Sequence, residues 1–165
     1  MTLATHILVA TDFSDSAHEA LIAALRIAER IDASIELLHI WEPSGVIPIE
    51  TLLSEVGATA APRSLGEIAR REAQLRLQQL AASVERPPNV KITSRVEVGR
   101  PDELIVALVE QGVCDMVVMG THGRRGVGRL MMGSVAERVV RNAPCPVLTV
   151  RYESPEHQSM PPVAP

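Results

Sequence analysis

Apolar and polar positions follow one another along the chain in blocks whose period changes, and each change predicts a new element. His6-Ile7-Leu8-Val9-Ala10 is a short apolar run rich in β-formers, as expected of a strand buried on both faces. The polar stretch Thr11-Asp12-Phe13-Ser14-Asp15-Ser16 offers several N-caps. Beyond it, Ala17, Leu21, Ala24, Leu25, Ala28 and Ile31 recur at helical spacing and make one apolar stripe. Residues 34–40 return to strand character. Ser64-Leu65-Gly66-Glu67 has the form of a capping box and opens a helix predicted to run to Val84. After the break at Pro87-Pro88-Asn89, residues 90–98 alternate as a strand. A helix starts at Pro101, with Asp102 and Glu103 near its positive end and Gly112 closing it. Residues 115–119 read as a fourth strand, 120–132 as a glycine-dense loop, 134–142 as a short helix and 146–150 as a fifth strand.

The order βαβαβαβαβ implies right-handed crossovers and a mainly parallel sheet covered on both faces, a three-layer α/β/α domain. Ligands in such sheets bind beyond the carboxyl ends of the strands, at the switch point. The pattern does not by itself fix the strand order. Residues 1–151 read as a single domain without internal repeats. Two segments stand outside its core. Residues 41–63 form a long connection carrying Pro43, Gly45, Pro48, Gly57 and Pro62, and long connections in compact domains are usually functional or mobile. Residues 152–165 make a proline-rich tail expected to be disordered.

Composition narrows the function classes. With 165 residues, 46% hydrophobic and 22% charged, the chain can bury one proper core. No apolar run reaches the ~18 residues of a membrane span, and the first residues lack the basic segment of a signal peptide. Cys114 and Cys145 cannot make a disulfide framework and read as thiols in a reducing cytoplasm. A net charge of −4 argues against general nucleic-acid binding. Phe13, Trp41 and Tyr152 are the only aromatics, too few for a base-stacking platform. Lys91 is the only lysine, which argues against a Schiff base or a P-loop.

Half of the ten glycines, Gly120, Gly123, Gly126, Gly128 and Gly133, lie between the fourth strand and the last helix. Such a loop brings bare backbone N–H groups against something bulky and anionic, and the helix behind it adds unpaired donors and a positive dipole end. Residues 116–136 hold no acid, while Arg124, Arg125 and Arg129 stand among them. A phosphate suits this segment. A flexible glycine loop with solvated arginines is the plain alternative. Neither GxxxxGK[ST] nor GxGxxG is completed here.

The spacing Gly120-(2)-Gly123-(9)-Gly133-Ser134 resembles the G-2x-G-9x-G-[S/T] signature of ATP-binding universal stress proteins. The flanks are similar too, in residues 7–14 (ILVATDFS) and 133–148 (GSVAERVVRNAPCPVL), so the resemblance spans about residues 1–151. It implies a Rossmann-like five-stranded parallel sheet of order 3-2-1-4-5. It further implies that Gly120, Gly123, Gly133 and Ser134 embrace the phosphates of ATP, often with Mg²⁺ or Mn²⁺ on them. Asp12 and Ile40 correspond to positions beside ribose and adenine, and Met119 and Val135 match contact positions. Ala10 and Thr11, next to Asp12, and His122 and Arg124, inside the loop, complete the candidate cofactor-binding set. The family often has proline at Ala10 and threonine at Ala136, and the missing hydroxyl leaves the metal open.

Other readings of single residues stay open beside these. Asp12 suits a turn or N-cap as well as a ribose or metal role. Phe13 reads as core before adenine stack, His39 as a satisfied, partly buried histidine, and His122 either approaches a phosphate or points to water. Cys145 reads as a small packed apolar residue. Arg70, Arg71 and Arg76 with Glu67 and Glu72 look like a solvated helix face.

The favoured function is an adenine-nucleotide-binding regulatory or stress-response protein with at most slow ATP hydrolysis, since Asp12 alone stands as a general base near the loop. A nucleotide hydrolase or nucleotidyl-transfer enzyme is the alternative, and a nucleotide-independent dimeric interaction module the second. In the family's strand order residues 146–150 form a sheet edge, so a homodimer paired through the fifth strand is expected, with higher assembly and a regulatory protein partner left open.

Overall fold

In the computed structural model, which describes residues 5–42, 65–121 and 132–152, the Ile7-Leu8-Val9 run is fully buried at the centre of β1 (His6–Ala10). The remaining elements are α1 (Asp15–Ile31), β2 (Ser34–Trp41), α2 (Leu65–Ala82), β3 (Ile92–Val98), α3 (Pro101–Glu110), β4 (Met116–Gly120), α4 (Ser134–Asn142) and β5 (Val147–Val150). All strand pairs are parallel, and the sheet order is β3-β2-β1-β4-β5. The order implied by the family resemblance is therefore the one observed.

Side chains alternate across the sheet, and each face meets its own pair of helices. Ile7 and Val9 of β1, Ile35 and Leu37 of β2, Val96 of β3 and Val118 of β4 pack with Ala20, Leu21, Ala24, Leu25 and Ala28 of α1 and Ala73 and Leu77 of α2. Leu8, Leu38, Val117 and Met119 pack on the other face with Ile105, Leu108 and Val109 of α3 and Ala136 and Val139 of α4. The small residues of the α1 stripe let that helix lie close over β1 and β4, which matters for the site below.

Element ends differ from the sequence pattern where long-range pairing decides them. The strand expected from Val90 begins at Ile92, because the Val90 N–H turns back to the Pro87 carbonyl at 3.1 Å. The second helix stops at Ala82 rather than Val84, and β2 continues to Trp41. Asp115 precedes β4 instead of starting it, and Gly120, expected in the loop, is the last residue of β4, in register with Val150. Pro146 lies just before β5, its carbonyl accepting the Val117 N–H at 3.0 Å. Residues 43–63 of the long connection, Ser64 of the capping-box pattern and 153–165 of the tail lie outside the described residues. Among the described residues no helix is long and apolar enough to cross a membrane.

Candidate functional site

The chain leaves β1 toward β2 on one side and returns to β4 on the other, so the carboxyl ends of β1 and β4 diverge at the switch point. Ala10 and Met119 are the last register partners of that pair. Beyond Ala10 the chain turns sharply. The Thr11 N–H donates to the Leu38 carbonyl at 2.9 Å, and Thr11 Oγ1 accepts the Phe13 N–H at 3.0 Å. Asp12 Oδ1 accepts both the Ser14 N–H (3.1 Å) and the Ser14 hydroxyl (2.5 Å). Ser14, not Asp12, is the N-cap of α1, its Oγ accepting the Ala17 N–H at 3.4 Å. Asp12 thus closes an Asx turn at the mouth of the switch point.

Phe13 holds φ at 63°, a left-handed conformation that costs an aromatic residue on the order of 1–3 kcal/mol. Its ring lies 4.5 Å from the His39 ring, centroid to centroid, and the Arg76 guanidinium sits 5.2 Å over it. His39 Nδ1 is 2.8 Å from the Thr11 carbonyl oxygen. A carbonyl only accepts, so Nδ1 carries the hydrogen. His39 is therefore the satisfied, half-buried histidine expected, and Phe13 packs against the core as expected. The arginine face is not wholly solvated: Arg76 covers Phe13, and Arg70 reaches the Val96 carbonyl at 3.5 Å.

Ile40 lies one strand away. Successive residues of a strand direct their N–H and C=O groups to opposite neighbours. Leu38 faces β1, as its bond to Thr11 shows, and Trp41 faces β3, where its carbonyl accepts the Gly99 N–H at 3.0 Å. Ile40 consequently presents its N–H and C=O to the side that β1 has already left. A donor and an acceptor side by side suit the edge of a purine base.

The other wall is built from β4 and α4. At Gly120 a Cβ would meet Ser16 Oγ at 2.5 Å and the Ser16 carbonyl carbon at 2.9 Å, so the first turn of α1 demands glycine there. The Thr121 N–H donates to the Val150 carbonyl at 2.9 Å, and the Thr121 carbonyl accepts the Gly133 N–H at 2.7 Å. That last bond draws both ends of the glycine segment together beside the switch point. Gly133 is the N-cap of α4 and, having no side chain, contributes no side-chain cap of its own. The first-turn N–H groups of α4 and its dipole therefore face the place where the loop begins and ends. Ser134 is exposed there, while Val135, Met119, Ala10 and Ile40 turn their side chains onto the core. Ala136 is buried in the same core, 2% exposed.

The fold thus gathers Ala10, Thr11, Asp12, Ile40, Met119, Gly120, Gly133, Ser134 and Val135 at the carboxyl end of the sheet. His122, Gly123 and Arg124, with Gly126, Gly128, Arg125 and Arg129, lie outside the described residues. The sequence reading missed the Phe13–His39–Arg76 stack and the Ser16–Gly120 contact. Only the run of small residues in α1 signalled that a backbone would approach it closely.

At the opposite end of the strands, a cavity of about 250 Å³ is lined by His6, Glu36, Thr93, Arg95 and Cys114 among others. Arg95 Nε and Glu36 Oε1 pair there at 3.0 Å. Burial pushes the Cys114 thiol up to about 12, with smaller contributions from Cys145, Asp115 and Glu36. Among the described residues no group of three or more His, Cys, Asp or Glu side chains is placed to hold a metal ion.

Residues 4–151 match the model of the universal stress protein family. A universal stress protein of Methanocaldococcus jannaschii (MJ0531) is 33% identical over 150 residues, which is 91% of this chain and 84% of that protein. The solved structure of MJ0577, from the same organism, superposes with a TM-score of 0.73 at 26% identity, covering 93% of this chain and 99% of that one. A universal stress protein family member from Arabidopsis thaliana, solved with AMP bound, shares the fold at a TM-score of 0.54 and 22% identity, over 94% and 96% of the two chains.

Proposed function

We propose, from the premise that this chain belongs to the universal stress protein family, that it binds ATP at the β1–β4 switch point and serves as a nucleotide-dependent regulatory protein of the cytoplasm. One observation carries the reading. The α4 N-terminus, with a glycine as its N-cap, opens beside the Thr121–Gly133 bond at the end of β4. Backbone donors and a helix dipole at one point make a site for a polyphosphate. Gly120, Gly123, Gly133 and Ser134 would border the phosphates, with His122 and Arg124 beside them. Asp12 would meet the ribose, and the Ile40 backbone the adenine edge. Ala10, Thr11, Met119 and Val135 would shape the cleft. A protein of the same fold from Arabidopsis thaliana was solved with AMP bound, which supports a nucleotide as the ligand. Mg²⁺ or Mn²⁺ would arrive on the phosphates.

Asp12 Oδ1 already accepts two hydrogen bonds from Ser14, which favours a structural part in the turn over general-base work. This supports binding and sensing over turnover, with hydrolysis at most slow. The uncharged edge of β5 supports a homodimer paired there.

Thermal unfolding with ATP, ADP and GTP tests the reading. ATP at 100 times its Kd adds about 2.7 kcal/mol, which raises Tm by roughly 5–10 °C in a domain of this size. Gly133→Val should abolish the shift, since a branched side chain would occupy phosphate space. Absence of any shift with millimolar ATP would overturn the proposal and favour a nucleotide-independent interaction module.

A further inference from the structure

Three elements converge on the one strained residue of the β1–α1 turn. From β2, the His39 imidazole lies on the Phe13 ring and its Nδ1–H holds the Thr11 carbonyl. From α2, the Arg76 guanidinium covers the same ring. From the turn itself, Thr11 Oγ1 takes the Phe13 N–H. Thr11 and Phe13 are the two neighbours of Asp12, so the residue between them is bracketed on both sides.

The choice of residue is informative. A φ of 63° is one that glycine adopts freely and phenylalanine resists. Glycine would close this turn at lower cost in the backbone. Strain of this kind persists only where the surroundings over-determine it, and it gathers at ligand clamps. The ring supplies what glycine cannot: a flat surface with a cation on it and an imidazole beside it, which fixes the turn in one conformation.

We propose that Phe13 is a positioning residue for the nucleotide site, its ring held by His39 and Arg76 so that the turn presents Asp12 to the nucleoside end of the ligand. The inference rests on the nucleotide-binding reading and deepens it. Arg76, well along α2, becomes part of the site without touching ligand. The clamp acts by pre-organisation: the free protein already holds the turn in its binding conformation, so less ordering is needed when the ligand arrives.

Isothermal titration of ATP and AMP into the full chain, with the ligand-free Tm of each variant, tests this. Arg76→Met should weaken both nucleotides about 2–5-fold, the factor that corresponds to loss of one exposed cation–π contact. Its ligand-free Tm should move little, because Arg76 is exposed. Arg76→Lys should recover most of the affinity. Phe13→Gly, at ease in the backbone, should bind still more weakly than Arg76→Met. Unchanged affinity in Arg76→Met and Phe13→Gly would overturn the clamp while leaving nucleotide binding intact. So would a loss that lysine does not recover, or one seen with ATP but not AMP. Wild-type protein that binds neither nucleotide would bring down both this inference and the reading beneath it.

Discussion

Gly120 is required by a neighbour that the sequence places more than a hundred positions away. Its missing side chain is filled by Ser16, at 2.5 Å from the Oγ and 2.9 Å from the carbonyl carbon. Gly120→Ala should therefore cost about 1–3 kcal/mol, as overpacking of a tight contact does. Urea denaturation would show it as a lower midpoint. Adding Ser16→Gly removes the side-chain clash but not the backbone one, so the double variant should recover only part of the loss. Full recovery would mean that the hydroxyl alone sets the distance. Asp115 gives a pH-dependent counterpart at the other end of the sheet. Burial raises its pKa, but the Thr5 and His6 N–H groups and the Thr5 hydroxyl, at 2.8–3.1 Å, outweigh this and lower it. A depressed carboxylate pKa contributes stability above its unfolded value and loses it as pH falls through the folded one. Wild type should thus exceed Asp115→Asn in stability at neutral pH, and the gap should close below the ordinary carboxylate range near pH 4. A gap that persists in acid would assign the effect to shape rather than charge. The thiols follow the same logic in the other direction. With Cys114 pushed up to about 12 and buried, and Cys145 also raised by burial but only partly covered, a thiol reagent at pH 8 should label Cys145 first and Cys114 only on unfolding.

At the scale of elements, what the sequence shows is governed by how local the cause is. The α1 stripe is legible because Ala17, Leu21, Ala24, Leu25 and Ala28 all fall on one face, and every one of them is buried. The bounds of α4 at Ser134 and Asn142 are legible too, since a glycine precedes the helix and a proline follows it. Gly120 falls in the loop by local pattern, because nothing local reports that Val150 extends the strand beside it. The Asp12 turn was legible as a turn, yet the share between Asp12 and Ser14 was not, because either side chain can cap. Asp102 illustrates the same boundary. Its place in the first turn of α3 suits the helix dipole, as read. The structure also has it accept Arg138 of α4 at 3.2 Å and lie 3.5 Å from Arg100, while only 9% exposed. This acid ties the two helices that cover one face of the sheet, and α4 is the helix whose N-terminus borders the site. The two ends of the tie are unequal. Asp102→Ala removes the shared acceptor and should cost about 1–3 kcal/mol. Arg138→Ala leaves Asp102 still beside Arg100 and removes a half-exposed side chain, so it should cost no more than about 1 kcal/mol. Equal losses by chemical denaturation would show that Arg100 does not compensate.

For the whole molecule, the strand order creates two edges of opposite character. The β3 edge carries Arg95 and Glu97, charges of the kind that discourage strand addition. The β5 edge reads Val147-Leu148-Thr149-Val150, uncharged and half-buried along its length. The carbonyls of Pro146 and Val150 point to β4, where they accept the Val117 and Thr121 N–H groups. By strand alternation Val147 and Thr149 point their backbone groups the other way, outward from the sheet. A second copy of this chain, related by a two-fold axis, could meet those groups and close the edge. The alternation also provides a clean way to test that assembly. Thr149→Pro removes an N–H that the β4 ladder does not use, so the sheet within the chain keeps its bonds. In a dimer built on β5 the same change deletes a donor at the interface and should yield a monomer in sedimentation velocity at micromolar concentration. Thr149→Ala, which keeps the N–H, should stay dimeric. Should Thr149→Pro sediment as wild type does, the β5 edge is not where two copies meet.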